Sequence, residues 1–142
     1  MEHSAALHAI QFAVAPVFLL TAVASLIGAL ATRLARIIDR ARDIEERLLA
    51  GNVISETAAR EELRRARVRA WIVNGSLALL TISAALIGAT VMTLFIGGTG
   101  SARSETLIPW TFLGGLVSFI LALLCFLIET LLATHLLNFG KH

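Results

Sequence analysis

The chain alternates between long stretches without charge and one stretch dense in it. No Asp, Glu, Lys or Arg stands from His3 to Thr32, from Ala70 to Ala102, or from Thr106 to Ile128. Each run exceeds the roughly 20 apolar residues that a helix needs to cross a bilayer. The runs lack the period-two alternation of barrel strands and are much longer than such strands, so membrane-spanning helices are predicted. Counting back from Arg33 places the first at 13–32, after an outer N-terminal segment 1–12 in which residues 4–12 form an interfacial turn or a short helix. The second is expected at 70–97 and the third at 107–130, with an outer loop at 98–106 and a C-terminal tail at 131–142. Pro16 is expected to bend the first span, and Pro109 to suit the first turn of the third.

Between the first two spans the pattern changes. Leu34, Ile37, Ala41, Ile44 and Leu48 recur at alternating spacings of three and four, the seam of paired helices. Gly51-Asn52 interrupts it with residues suited to a tight turn. Ser55 and Glu56 provide a cap and a favourable charge for a new helix. The returning arm carries Ala59, Leu63, Ala66, Ala70 and Val73 in the same rhythm, so residues 33–69 are predicted to fold as an antiparallel, coiled-coil-like helical hairpin. Acid-first pairs at i,i+4, namely Asp43–Arg47, Glu56–Arg60 and Glu61–Arg65, lie on its outer faces. No helix breaker separates Thr32 from Arg33 or Arg69 from Ala70, so both spans should run on into the hairpin.

Composition supports this division. Hydrophobic residues make up 57% of the chain and charged residues 15%, far from the balance of a soluble domain. Of the twelve Lys and Arg residues, all but Arg103 and Lys141 lie within 33–69. The positive-inside rule then puts the hairpin and the C-terminus in the cytoplasm and the N-terminus outside. The first span lacks a cationic leader and reads as a retained helix, not a cleaved signal. The basic balance is explained by topology, and no nucleic-acid partner is expected.

Candidate chemistry is sparse. No phosphate loop, Cys pair or His-Glu-x-x-His occurs, and His3, His8, His135 and His142 do not combine into a ligand set, so neither a catalytic site, a cofactor nor a metal is expected. Cys125 stands alone and reads as a small buried hydrophobe. Ser25, Ser76, Ser83 and Ser118 have no adjacent base and read as backbone-bonded packing residues. Asn74, in the second span, is expected to bond a neighbouring helix. Glu129 is the one carboxylate within the third span, which makes it a functional candidate by default. Its position about 20 residues beyond Trp110 places it at the inner boundary, where it can form an interfacial ion pair with Arg33, Arg36 or Arg69, Arg69 being the leading partner. Proton or cation handling is the alternative. Arg33, Arg36 and Arg40, with Asp39 among them, form a stripe expected to meet anionic lipid headgroups or a partner protein. Small residues at four-residue spacing, Ala24-Gly28-Thr32, Ala85-Ala89-Thr93-Gly97 and Gly114-Ser118-Ala122, are expected to hold the three helices together.

The run Arg33 to Arg42, RLARIIDRAR, directly after an Ala/Leu/Gly-rich span, resembles the bacterial membrane family known as domain of unknown function 2721. The order of features is similar over nearly the whole chain. The resemblance implies a bacterial inner-membrane protein and carries no activity with it. The topology is also similar to the Oxa-type insertase core, in outline only. The expectation is an all-α integral membrane protein, not an enzyme, that serves as a scaffold, accessory subunit or self-associating protein and docks through its cytoplasmic hairpin. Its expected partners are the bilayer and either further copies of itself or a larger membrane complex. A small oligomeric channel or transporter is the second reading, and an insertion or assembly factor the third.

Overall fold

The computed structural model of the chain describes residues 2–52, 55–96 and 102–138. Its regular structure is three helices, α1 (Glu2–Leu49), α2 (Glu56–Ile96) and α3 (Ala102–Asn138), and no strand occurs among the described residues. Each helix contains a segment long and apolar enough to cross a membrane. The chain is an all-helical, multi-pass membrane protein.

The helices are longer than the spans alone require. At 48 residues α1 is about 72 Å long, more than twice the hydrocarbon thickness of a bilayer. It passes through Thr32–Arg33 without a break, as α2 passes through Arg69–Ala70. Two boundary expectations change. Residues 2–12 form no separate turn but are the first part of α1, which also continues through Pro16. Pro109 is not in the first turn of α3, because the helix starts at Ala102. A proline removes a single backbone bond, and an apolar surround penalises every further unpaired amide, so the helices continue past both prolines. Of the expected outer loop, residues 97–101 lie outside the described set, as do residues 139–142 of the C-terminal tail.

The turn between α1 and α2 has a clear local cause. Gly51 adopts φ +68°, a left-handed conformation that only glycine takes at little cost. Its amide donates to Leu48 O at 3.3 Å, and the Asn52 amide donates to Arg47 O at 3.1 Å. This reciprocal pair satisfies carbonyls that the helix end would leave open. On the other side Ser55 starts α2: its Oγ lies 3.5 Å from the Ala58 amide, and its carbonyl accepts from Ala59 at 3.2 Å.

Beyond the turn the arms pack along the expected seam. Ile44, Ala59 and Val73 are buried, while Leu34, Ile37, Ala41, Leu48, Leu63, Ala66 and Ala70 are half-buried between exposed neighbours. The pattern then continues up α2 as Val73, Ser76, Leu80, Ser83, Ile87 and Thr90, all buried at spacings of three and four. Here α2 is central and packs against both α1 and α3, whereas the backbones of α1 and α3 approach one another at few points. Val23 and Leu30 of α1 and Ala122 of α3 complete the core around Val73, Leu80 and Ile87.

The closest helix contact is between α2 and α3. A Cβ on Gly115 would lie 3.0 Å from Ile87 Cγ1 and 3.4 Å from the Ser83 carbonyl oxygen, so the crossing depends on a residue without a side chain. There Ser83 Oγ donates to Gly115 O at 2.8 Å, and Ser118 Oγ donates to Leu79 O at 2.8 Å. Ser25 and Ser76 bond carbonyls one turn back in their own helices. The stripe on α3 is therefore internal, but the stripe on α1 is not. Ala24, Gly28 and Thr32 are exposed, as are Ala85 and Ala89 of α2, while Thr93 is half-buried and Gly97 is outside the described residues. The reason is rotation: α1 turns Val23 and Leu30 toward α2, and branched residues, not small ones, fill that contact. Asn74 is likewise exposed and makes no hydrogen bond among the described residues. Cys125 is half-buried.

Candidate functional site

The most densely organised polar site lies where the apolar parts of the helices give way to the hairpin. Each helix contributes to it. Arg33 comes from α1 and Arg69 from α2, the first and last arginines of the charged stretch. α3 provides Phe126, Glu129 and Thr130, which share one face at i, i+3 and i+4. Glu129 is 0% exposed. Its Oε1 accepts from Arg69 Nη2 at 2.8 Å and from Arg69 Nε at 3.3 Å. Arg33 Nη1 lies 3.4 Å from Oε2 and donates to Thr130 Oγ1 at 3.1 Å. The Arg33 guanidinium also stands 5.2 Å from the centre of the Phe126 ring, within cation–π range.

The electrostatics follow from this count of charges. A bare carboxylate away from water is prohibitively costly, and here two guanidinium groups compensate it. Oε2 is buried beside Arg33 but has no aligned hydrogen-bond donor among the described residues. Most of the binding therefore comes through Oε1 and the two-pronged Arg69 contact. Two cations on one anion leave a surplus positive charge at the helix junction. The arginine side chains remain 37% and 30% exposed, so solvent or lipid headgroups screen that surplus. Because α1 and α3 otherwise scarcely meet, Arg33 is their main polar link. The cluster is a clasp across the three helices.

The other sequence candidates fall elsewhere. Arg40 lies on the same unbroken helix as Arg33, two turns on, and bridges the arms by donating to Glu62 Oε1 at 2.7 Å. Arg36 and Asp39 are exposed and make no ion pair among the described residues. The i,i+4 pairs are formed, with Asp43–Arg47 at 2.9 Å, Glu56–Arg60 at 3.4 Å and Glu61–Arg65 at 3.3 Å. Sequence reasoning missed Thr130 and Phe126 as partners of Arg33. Their spacing around Glu129 was a usable signal, since all three lie on one helix face.

Below the clasp, a cleft of about 620 Å³ opens between the hairpin arms and α3. Ile37, Ile44, Ala66 and Ala133 give it an apolar lining, and Arg40, Glu62, Arg65 and Arg69 give it charge. Its charged groups are already paired with one another or with Glu129, so it shows no preference for either sign of ligand. No group of three or more His, Cys, Asp or Glu is placed to hold a metal among the described residues. The side chains of His3, His8, His135 and His142 lie outside that set.

No curated protein and no solved structure matches the chain. The family model described as protein of unknown function (DUF2721) matches residues 13–139, which take in α1 from residue 13 onward, all of α2 and α3, and every residue of the clasp. The chain belongs to the DUF2721 family.

Proposed function

We propose that the chain is a non-enzymatic membrane protein, a scaffold, accessory subunit or self-associating protein, whose hairpin over residues 33–69 is a docking element. The observation that carries this reading is the clasp. A hairpin whose arms continue two spans would still swing if its base were free. Binding Arg33 and Arg69 to one buried carboxylate on α3 fixes the base in both arms at once. Rigidity of this kind lowers the entropy lost on binding a partner. The arginine distribution supports a cytoplasmic hairpin and C-terminus.

The locked state of Glu129 favours this reading over ion or proton handling, which needs a carboxylate able to exchange its partner. The buried hydroxyls along α2 point the same way. Ser76, Ser83 and Thr90 are each within hydrogen-bond distance of a backbone carbonyl, and Thr90 also meets the Thr111 hydroxyl, so these groups are engaged within the helix packing. The test is to excise residues 41–61, rejoin the arms with a short Gly-containing turn, and compare the mass of the complex extracted in native lipid with that of the full chain. Loss of a copurifying subunit or of self-assembly is the expected result. Identical complexes would overturn the docking role.

A further inference from the structure

The charges left over after the internal pairs are made are not evenly distributed. On α1 the exposed residues without an ion pair among the described residues are Arg36, Asp39, Arg42, Glu45 and Glu46, a mixture of signs. On the α2 arm every acid is paired: Glu56 with Arg60, Glu61 with Arg65 and Glu62 with Arg40. What remains there is Arg64 and Arg67, both exposed. These two share a helix face with Trp71 at i, i+3 and i+7, on the opposite flank of α2 from Arg69 and Glu62. Trp71 is 83% exposed.

We infer that this flank of α2 is a binding site for anionic phospholipid. The depths agree with a headgroup. Taking Trp71 as the interfacial ring, Arg67 lies about 6 Å and Arg64 about 10 Å beyond it along the helix axis. The polar layer of a bilayer extends roughly 5–8 Å beyond the hydrocarbon, and arginine side chains reach back several ångströms along their stems. Asn74 lies about 4–5 Å to the other side of Trp71. It is exposed with no hydrogen bond among the described residues, at the depth of the lipid ester groups. Deeper on the same flank, Ala78, Ile82, Ala85 and Ala89 are exposed, an apolar strip against which an acyl chain can lie. A free anion would use only the two arginines, whereas a phospholipid uses the arginines, the indole, the amide and the apolar strip together. Arg33 and Arg40 are not part of this site, because they lie on α1 and are held by Glu129 and Glu62.

The experiment uses the full chain in mixed micelles of phosphatidylglycerol and phosphatidylcholine, with bound lipids counted by native mass spectrometry. The chain should retain phosphatidylglycerol preferentially. Each arginine near a charged surface contributes about 5-fold to that preference, so R64Q/R67Q should reduce it roughly 30-fold, while R64K/R67K should keep most of it. R42Q, on the other arm and farther from the membrane, should change nothing. N74A should weaken both lipids alike, because an ester contact is indifferent to the headgroup. An unchanged preference in R64Q/R67Q would overturn the assignment, as would a larger loss in R36Q than in that double variant. Displacement of the lipid by millimolar inorganic phosphate would make the site one for free anions and overturn it too. Arg64 and Arg67 remain when residues 41–61 are excised, so this result and the docking test fail independently.

Discussion

Replacing Glu129 by glutamine tests the clasp most directly. Glutamine keeps the volume and a carbonyl acceptor for Arg69, but it removes the charge that two guanidinium groups share. Breaking one side of a fully buried ion pair costs about 3–5 kcal/mol, because the remaining charge is left without compensation. Here the stranded arginines are 37% and 30% exposed, so water and headgroups solvate them in part. The residual Arg69 bond to the amide oxygen reduces the loss further. A destabilisation of about 2–3 kcal/mol is expected, the worth of a charge-assisted hydrogen bond in a screened site. The assay is reversible unfolding of the full chain in mixed micelles, followed by loss of helical circular dichroism. R69Q should cost nearly as much, because its two-pronged contact at 2.8 and 3.3 Å carries most of the binding. R33Q should cost less, since its carboxylate contact is 3.4 Å. The distance between spin labels at Ala35 and Leu132, both exposed, should broaden in E129Q as α1 and α3 lose their link. An E129Q midpoint within about 0.5 kcal/mol of the parent, with the distance distribution unchanged, would refute the reasoning, since that is the scale of an ordinary surface change.

Other substitutions separate local from tertiary causes. Gly51→Ala should cost about 1–2 kcal/mol in the same unfolding assay, because its left-handed conformation is strained by any Cβ. Gly115→Leu should force α2 and α3 apart and cost about 1–3 kcal/mol or more. Gly28→Leu should be nearly silent in the isolated chain, since nothing lies within 4 Å of its Cβ position. Ser83→Ala should remove about 0.6 kcal/mol, the average of an interhelical bond in a membrane. R65Q should change the midpoint by only a few tenths of a kcal/mol, because its i,i+4 pair with Glu61 at the cleft is about half-exposed and screened by water.

The three helices, the turn and the hairpin seam were legible in the residues because their causes are local. Charge-free runs longer than a bilayer's width demand helices, Gly51 permits the left-handed cap, and alternate threes and fours from Leu34 to Leu48 define a face whatever the partner. The family resemblance carried by residues 33–42 was legible for a similar reason, as a contiguous run. The α1 stripe was misread because helix periodicity says which residues share a face, not which way that face turns. Within a bilayer nearly every face is apolar, so α1 has no hydrophobic stripe to set its rotation and could have presented either Gly28 or Leu30 to α2. The same freedom hid Gly115 at the α2–α3 crossing and the division of Ser76 and Ser83 between intrahelical and interhelical bonds. Charge alone left Glu129 with three arginines in reach. The tertiary structure chose Arg69 and Arg33, because only the relative rotation and depth of the three helices bring those two guanidinium groups to one buried carboxylate and leave Arg36 outside.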